Sequence, residues 1–259
     1  MTLPADLAQA IERLGDVTHL LVAMDFDGTM APFVDRPEDA RALPAAAAAL
    51  EELAGAPGTT AALLSGRDLA SLRHAASPGP AVLLVGSHGG QRWAPDSYGA
   101  DGGGLELSDG QHELLREVRA RLGEVAARHP GAALEAKPAG VVLHVRTCAP
   151  AVAAAALAEG RTALEELDGV VLTDGKAVLE SSVIHATKGA GLEWLRQLAG
   201  ADAVLFAGDD VTDERAFEVL RPGDVGVKIG SGETAARFRL DGTGDVPALL
   251  QTVLRVRRL

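Results

Sequence analysis

Short apolar runs recur along the chain, and each ends in a polar or glycine-rich turn. Runs of this kind, without alternating polar residues, are typical of strands buried on both faces of a parallel sheet. Segments with helical spacing of apolar residues, such as 6–14, lie between them. This order predicts an α/β fold built on a parallel sheet. The strands are expected at 20–24, 59–64, 81–85, 203–207 and 225–229.

The pattern changes in the middle of the chain. Helices are predicted at 112–128, which is amphipathic, and at 149–167, which is rich in alanine. Each of these helices is followed by a pair of short strands with a turn between them. The strands are expected at 134–137, 141–146, 170–172 and 176–180. A helix, two strands, a helix and two strands describe a small α+β module that interrupts the parallel sheet.

Two domains follow from this change of pattern. We expect residues 1–107 and 182–259 to form the α/β core, and 108–181 to form an inserted α/β module. We also expect the inserted module to cover the carboxyl edge of the core sheet, where open α/β sheets bind ligands. A length of 259 residues is sufficient for this organisation.

Composition narrows the class of protein. The net charge of −12 argues against a nucleic-acid-binding protein, which usually carries a basic surface. The single cysteine, Cys148, cannot form an intrachain disulfide. The N-terminus has no basic segment followed by an apolar one, and no apolar run is long enough to span a membrane. We therefore expect a cytoplasmic protein that has neither nucleic-acid nor membrane partners. We also expect a monomer that acts on a small molecule.

The most informative turn follows the strand at 20–24. It contains Asp25 and Asp27, separated by one residue, and then Gly28. Two carboxylates and nearby backbone carbonyls form an oxygen cluster that suits Mg²⁺. Asp25 is also a candidate nucleophile, because carboxylates form covalent aspartyl-phosphate intermediates. The alternative is an ordinary turn, in which Asp and Gly are common.

Three further polar groups are expected at strand ends or helix starts. Ser65 and Gly66 follow the strand at 59–64, where a hydroxyl and helix N-terminal amides suit a phosphate, although Ser65 is equally suited to cap a helix. Lys188 opens a helix after Thr187, and a lysine there is often only solvated. Asp209 follows the strand at 203–207, with Asp210 and Asp213 close behind it.

Together these groups have complementary roles in phosphoryl transfer, which needs a nucleophile, a cation and ligands for the phosphate oxygens. We predict that Asp25 attacks and that Asp27 exchanges protons with the leaving oxygen and the water. Ser65, Gly66 and Lys188 are predicted to hold the phosphate, with Lys188 also screening the charge of the nucleophile. The predicted metal ligands are Asp25, Asp27 and Asp209. Asp213 is expected to brace the site from behind.

The four motifs resemble those of the haloacid dehalogenase-like (HAD) superfamily. The segments that match its motifs are DFDGTM at 25–30, Ser65, Lys188 and GDDVTDE at 208–214. More closely, the chain is similar over nearly its whole length to the trehalose-6-phosphate phosphatase family. That similarity includes GSHG at 86–89 and the strands of the inserted module.

The resemblance implies a Rossmann-like, HAD-like core with an inserted α+β cap domain of type C2B. It implies a phosphatase that depends on Mg²⁺, proceeds through an aspartyl-phosphate and hydrolyses α,α-trehalose 6-phosphate in trehalose biosynthesis. The implied substrate ligands are Arg67, His88, Glu135, Lys137 and Glu180. His144 and Arg146 are further candidates. The chain departs from the family at Ser181-Ser182, where a basic residue and proline are usual, and this change bears on the hinge beside Glu180.

Two other functions remain open from the sequence. One is a different sugar phosphatase or a phosphomutase of the same superfamily, which the inserted module would determine. The other is a catalytically inactive domain with a regulatory or binding role. The presence of Asp25, Asp27, Lys188 and Asp209 argues against an inactive domain.

Overall fold

The chain divides into two compact units. The computed structural model describes residues 3–99, 107–175, 177–184 and 186–258. The first unit combines the two ends of the chain, Met1–Gly104 and Ala186–Leu259, and the second is Leu105–His185. Both predicted limits of the inserted module, residues 108 and 181, fall within the second unit.

Helices and strands alternate along most of the described chain. The helices are α1 (Ala5–Leu14), α2 (Pro44–Ala54), α3 (Leu69–Ala76), α4 (Asp109–Arg128), α5 (Pro150–Glu165), α6 (Lys188–Ala199), α7 (Glu214–Phe217) and α8 (Val246–Arg257). The strands are β1 (Leu20–Met24), β2 (Thr59–Leu64), β3 (Leu83–Gly86), β4 (Gln91–Trp93), β5 (Ala133–Lys137), β6 (Gly140–His144), β7 (Val171–Gly175), β8 (Val178–Ser182), β9 (Ala203–Gly208), β10 (Val225–Ile229) and β11 (Phe238–Leu240). None of these helices is both long enough and apolar enough to cross a membrane.

The first unit is built on a seven-stranded sheet with β1 at its centre. The strand order is β11-β10-β9-β1-β2-β3-β4, and every pairing is parallel except that of β3 with β4. Strands β2 and β9 flank β1, so the chain segments that follow these three strands emerge side by side at one edge. The predicted α/β fold with a parallel sheet is confirmed.

Both faces of this sheet are buried, which explains the uninterrupted apolar runs. Leu20, Val22 and Met24 of β1 pack in one core with residues of α1, α2 and α8. Leu21 and Ala23 point to the other face and pack in a second core with residues of α6 and α7. The strand residues alternate between the two cores, as the pleat of a strand requires.

Some element limits differ from those expected. Strand β3 begins at Leu83 and not at residue 81, and the short strands β4 and β11 were not expected. Helix α7 is a single turn that ends at Phe217. In contrast, α4 begins earlier than expected, since Ser108 and Gln111 form a capping box at its start.

The second unit pairs one antiparallel sheet with two helices. Its strand order is β5-β6-β8-β7. Apolar side chains of α4 and α5 pack with Leu143 and Leu179 on one face of the sheet. The last hairpin differs from expectation, because its strands stay paired as far as Gly175 and Val178 instead of turning at 173–175. Lys176, expected to begin the final strand, lies outside the described residues.

Candidate active site

A buried lysine joins two of the predicted site carboxylates at the carboxyl edge of the core sheet. Lys188 Nζ donates hydrogen bonds to Asp25 Oδ1 and Asp213 Oδ1, each at 2.7 Å. Its side chain is only 2% exposed. Lys188 is the first residue of α6, which Thr187 caps by accepting a hydrogen bond from the N–H of Ala190. The ladder of β1 continues to Asp25, whose N–H donates to Ala207 O at 2.9 Å.

Three carboxylates form a cluster beside this lysine. One oxygen from each of Asp25, Asp209 and Asp213 lies within 4.8 Å of the others. Burial raises the pKa of Asp25 to about 7, despite the opposing effect of Lys188. Burial and the carboxylate of Asp213 raise the pKa of Asp209 to about 6. Burial and repulsion from Asp25 likewise raise the pKa of Asp213 to about 7. Lys188 therefore offsets only part of the burial cost and of the mutual repulsion of the three carboxylates.

Asp213 contacts both Lys188 and the loop that carries Asp209. While its Oδ1 accepts from Lys188, its Oδ2 accepts from the N–H groups of both Asp209 and Asp210 at 3.0 Å. Its side chain is fully buried. These hydrogen bonds fix the loop that carries Asp209, so Asp213 holds the loop and the lysine at once. This geometry agrees with the bracing role expected from the sequence.

The carboxylate of Asp27 pairs with Arg67 and not with Lys188. Its two carboxylate oxygens accept hydrogen bonds from Arg67 Nε and Nη2, both at 2.6 Å. The acidic cluster found among the described residues contains Asp213 in its place. The predicted roles of Asp27 in proton transfer and metal binding stay predictions, as does the predicted role of Arg67 as a substrate ligand.

Ser65 lies at the end of β2, next to the strand that carries Asp25. It is 1% exposed, and its Oγ accepts a hydrogen bond from the N–H of Arg67 at 3.2 Å. That contact leaves the hydroxyl hydrogen available to a ligand. The Ser65 N–H donates to Val85 O at 2.9 Å, which extends the sheet to this residue. The arrangement suits the predicted phosphate-binding role of Ser65 and Gly66.

His88 is packed over the turn that contains Gly66. A Cβ added to Gly66 would lie 2.5 Å from His88 Cε1, so the close packing of the ring requires glycine at position 66. Burial, assisted by the positive charge of Lys188, lowers the pKa of His88 to about 4. The backbone at His88 and at the preceding Ser87 has φ of 54° and 49°, values that are uncommon for residues other than glycine. The ring is therefore neutral and held in a strained turn beside Ser65.

The second unit carries its own polar group on the face of the sheet opposite the helices. Glu135 forms ion pairs with Lys137 and with His144, the latter at 2.9 Å between Oε2 and Nε2. Glu180 occupies the same row as Glu135, with Val142 between them. Partial burial acts to raise the pKa of Glu135, but hydrogen bonds from Lys137 and His144 outweigh it and lower the pKa. Burial raises the pKa of Glu180.

Ser181, Ser182 and Arg146 are the other positions of the second unit that the sequence singled out. Ser181 is buried and donates a hydrogen bond to Val141 O at 2.7 Å, so it fastens β8 to β6. Ser182 Oγ donates to Ile184 O at 3.1 Å, at the end of the same strand. Arg146, a further candidate, lies beyond β6 and is exposed. The two serines thus stabilise the backbone of the second unit through local hydrogen bonds.

Lys228 of β10 is a site residue for which the sequence suggested no role. It is 3% exposed, and its Nζ donates to Asp209 O at 2.7 Å, to Asp210 O at 3.2 Å and to Glu214 Oε1 at 3.3 Å. A lysine inside an apolar strand is a signal that was available, because a buried ammonium needs partners. Lys228 therefore helps to hold the loop that carries Asp209.

The chain also matches known proteins. A family model described as Trehalose-phosphatase matches residues 23–243. The chain belongs to the trehalose-phosphatase family. The protein named Trehalose-phosphate phosphatase from Mycobacterium avium (strain 104) is 36% identical over 243 residues, which cover 86% of this chain and 59% of that protein. The protein of the same name from Mycobacterium ulcerans (strain Agy99) is 32% identical over 262 residues, 93% of this chain and 64% of that protein. The chain thus spans 59% to 64% of the length of these two curated trehalose-phosphatase relatives.

Solved structures of trehalose-phosphatases share the fold. Aspergillus fumigatus trehalose-6-phosphate phosphatase (crystal form 3) superposes with a TM-score of 0.73 at 28% identity, covering 98% of this chain and 99% of that chain. The C-terminal domain of C. albicans trehalose-6-phosphate phosphatase has a TM-score of 0.78 and covers 98% of each chain. At 21% identity, this second match shows the fold alone. The resemblance expected from the sequence is confirmed.

A divalent metal ion is implied for trehalose-phosphatases by their HAD-type fold, and the residues of this chain fit one. The clustered groups offer only carboxylate oxygens, which are hard ligands of the kind that such ions prefer. Their charges are buried and only partly balanced by Lys188, as the raised pKa values of Asp25 and Asp209 indicate. A bound dication would offset this excess charge.

Proposed function

We propose that the protein hydrolyses α,α-trehalose 6-phosphate to trehalose and phosphate in trehalose biosynthesis, with Mg²⁺ as cofactor and an aspartyl-phosphate intermediate on Asp25. One observation carries the proposal: Asp25, Asp209 and Lys188 converge at one buried point in a chain of the trehalose-phosphatase family. A nucleophile, acidic oxygens for a cation and a fixed ammonium are what phosphoryl transfer needs. The expectations of a monomer and of a cytoplasmic location stay predictions.

The first step is attack by Asp25 on the phosphorus of the substrate. Lys188 holds Oδ1 of Asp25, so Oδ2 is the oxygen that forms the new bond to phosphorus. The bond between phosphorus and the sugar oxygen breaks, and its electron pair stays on that oxygen. Asp27 then supplies a proton, which gives neutral trehalose. Ser65, the backbone at Gly66 and Lys188 bind the phosphoryl oxygens as their charge develops.

The second step returns the enzyme to its starting state. A water molecule attacks the phosphorus, its proton passes to Asp27, and the bond between phosphorus and Asp25 breaks. The electron pair of that bond returns to the Asp25 carboxylate, and inorganic phosphate leaves. Asp27 thereby regains the proton that it gave in the first step.

Asp25 and Asp209 are the proposed side-chain ligands of Mg²⁺. Asp27 is proposed to contribute through a backbone carbonyl, because Arg67 already engages both oxygens of its carboxylate. When bound, the ion supplies positive charge that offsets the phosphate oxygens and the carboxylates. Asp213 keeps the loop and Lys188 in place, since both of its oxygens already accept hydrogen bonds.

Sugar recognition is proposed for the polar group of the second unit. Glu135, Lys137 and Glu180 share one face of its sheet, and His144 contacts Glu135 there. Carboxylates accept hydrogen bonds from sugar hydroxyls, and an ammonium donates to several oxygens. The proposal therefore assigns phosphoryl chemistry to one unit and sugar recognition to the other.

The test is phosphate release from a panel of sugar phosphates, with Mg²⁺ and with EDTA. We expect trehalose 6-phosphate to be the best substrate and EDTA to abolish release. We expect Asp25→Asn to abolish turnover but to keep the fold, measured by circular dichroism, because the amide cannot form the acyl phosphate. Full activity of Asp25→Asn would exclude the covalent mechanism.

The same panel separates the alternatives. Preference for another phosphorylated sugar would favour a different sugar phosphatase. A phosphomutase would move the phosphoryl group to a second sugar position, and product analysis without added bisphosphate would detect it. No release from any substrate, by a folded protein supplied with Mg²⁺, would favour a regulatory or binding domain.

A further inference from the structure

The side chain of Arg67 makes more hydrogen bonds to Asp27 than to any other residue. Nε and Nη2 of Arg67 donate to the two oxygens of Asp27 in a bidentate arrangement, each at 2.6 Å. Paired hydrogen bonds between charged groups are among the strongest in proteins, and their planar geometry fixes orientation. The contact therefore sets the direction of the Asp27 carboxylate.

Arg67 is itself anchored in the first unit. Nη2 also donates to Pro37 O at 2.8 Å, and Nη1 donates to Ser71 Oγ at 3.2 Å. The guanidinium lies over the ring of Phe26, with 5.5 Å between Cζ and the ring centroid. The Arg67 side chain is 10% exposed, whereas that of Asp27 is 34% exposed. The arginine is thus the buried, fixed partner, and the aspartate is the accessible one.

These contacts leave Arg67 little capacity to bind substrate. A guanidinium has five N–H donors, and Arg67 uses both of those on Nη2, the one on Nε and one on Nη1. One N–H of Nη1 remains, so a substrate oxygen that accepts more than one hydrogen bond from Arg67 would have to displace Asp27 or one of the anchors. The geometry consequently favours a role through Asp27.

We propose that Arg67 is a positioning residue for Asp27, and that it acts on proton transfer to the leaving group and not as a ligand of the substrate. This inference rests on the proposed function, in which Asp27 gives a proton to the sugar oxygen as the bond to phosphorus breaks. While Asp27 holds that proton, its protonated oxygen is the weaker partner for a guanidinium N–H, and this contact strengthens as the proton leaves. The other contact keeps the carboxyl group oriented throughout the transfer.

The proposal predicts an effect that depends on the leaving group. A sugar oxygen leaves poorly without a proton, whereas a nitrophenolate leaves well without one. The loss of an acid that acts in the transition state costs about 10²–10⁴-fold in rate. A residue that positions this acid should therefore matter for trehalose 6-phosphate and hardly at all for the first turnover of p-nitrophenyl phosphate.

The experiment compares first-turnover rates of wild type and Arg67→Ala on these two substrates, with Mg²⁺ present. We expect a loss of at least about 100-fold on trehalose 6-phosphate and less than about threefold on p-nitrophenyl phosphate. We expect KM for trehalose 6-phosphate to change little. The matched control is Arg41→Ala, because Arg41 bonds to Glu38 O and Ala40 O in the neighbouring loop but not to Asp27.

Two further measurements separate positioning from general support of the fold. In an Asp27→Asn background, Arg67→Ala should cause no further loss on trehalose 6-phosphate, because both changes remove the same function. Added guanidinium chloride at millimolar concentration should restore part of the activity of Arg67→Ala. Arg67→Lys should retain an intermediate rate, since it keeps the charge but loses the bidentate geometry.

Several outcomes would overturn the inference. These are equal losses on both substrates, no loss on either, a raised KM with an unchanged rate, and additive losses with Asp27→Asn. The raised KM would instead support the predicted role of Arg67 as a substrate ligand. Failure of the proposed function is distinguishable, because wild type itself would then release no phosphate from trehalose 6-phosphate.

Discussion

At the scale of single residues, two glycines make room for the acidic cluster. A Cβ at Gly28 would lie 2.2 Å from Asp209 Oδ2, and one at Gly208 would lie 2.3 Å from Asp213 Cγ. Gly28 also has φ of 85°, which a residue with a side chain rarely adopts. The glycines of the two acidic motifs are therefore needed for the carboxylates to approach one another.

His88 gives a pH-dependent prediction. Burial lowers its pKa in the folded protein to about 4 from 6.5, so unfolding takes up a proton between these pH values and stability decreases as the pH falls. Between pH 7 and pH 4, we expect wild type to lose about 3 kcal/mol more unfolding free energy than His88→Asn. Urea denaturation of both proteins across this range measures the difference.

Asn is the chosen replacement because it tolerates the positive φ of this position. His74→Asn, which removes an exposed imidazole from α3, controls for the substitution itself. A difference between wild type and His88→Asn that stays constant with pH would contradict the prediction. It would mean that the folded protein accepts a proton on His88 as readily as the unfolded chain does.

The sequence indicated most of the site residues but not their pairing. Convergence of Asp25, Lys188 and Asp209 followed from their positions at strand ends and a helix start, because parallel strands end at a common edge. The pairing of Asp27 with Arg67 did not follow, since an ion pair depends on side-chain directions that spacing alone does not fix. The brace formed by Asp213 was expected, although its three hydrogen bonds were not.

At the scale of elements, β10 and the loops beside it support the loop that carries Asp209. Lys228 of β10 donates to the carbonyls of Asp209 and Asp210. It also pairs with Glu214, whose Oε2 accepts from the N–H of Ala235 at 2.8 Å. Lys228 thus connects β10 directly to the loop that carries Asp209 and, through Glu214, to the loop that contains Ala235.

Replacing this lysine should weaken both stability and metal dependence. Lys228→Met keeps the length of the side chain but leaves the partly buried carbonyl groups of Asp209 and Asp210 without their donor, which costs about 1–3 kcal/mol. Loss of groups that orient metal ligands typically weakens metal binding about 10- to 100-fold. We therefore expect a lower unfolding free energy in urea and a higher Mg²⁺ concentration for half-maximal activity.

Arg239→Met is the matched control on the neighbouring strand β11. Arg239 donates to Gly230 O and Gly232 O, outside the loop that carries Asp209. It should leave the Mg²⁺ dependence unchanged. If Lys228→Met and Arg239→Met shared the wild-type Mg²⁺ dependence, Lys228 would have no role in orienting the metal ligands.

Element type was easier to predict than element limits. The central strands β1, β2, β9 and β10 were evident because burial on both faces produces continuous apolar runs. The short edge strands lack such runs: β4 is only half-buried, and Arg239 of β11 points to solvent. The hairpin of β7 and β8 was misplaced because Asp174-Gly175 is a strong turn signal. Cross-strand pairing extends through those residues in the structure.

At the scale of the whole molecule, the charge of the chain opposes its proposed substrate. The net charge is −12, and a sugar phosphate is also an anion. Attraction must therefore be local, from Lys188, from the N-terminus of α6 and from the proposed metal ion. The raised pKa of Lys188, where Asp25 and Asp213 outweigh the opposing effect of burial, keeps that ammonium charged.

The division into two units gives a prediction about substrate preference. Lys137 is proposed to bind sugar hydroxyls, so Lys137→Ala removes hydrogen bonds that only the sugar phosphate makes. Hydrogen bonds to a charged group are worth about 1.5–3 kcal/mol, or roughly 10- to 100-fold in kcat/KM. We expect this loss with trehalose 6-phosphate and little change with p-nitrophenyl phosphate, which has no sugar.

The matched control for Lys137→Ala is Arg161→Ala. Arg161 is also a partly exposed cation of the second unit, but it lies on α5 and pairs with Asp174. It should leave kcat/KM unchanged for both substrates. Because Lys137 is 38% exposed, its replacement should also leave the unfolding free energy within about 0.5 kcal/mol of wild type. Equal losses on the two substrates would mean that Lys137 affects the phosphoryl chemistry itself, and the division of labour between the units would be wrong.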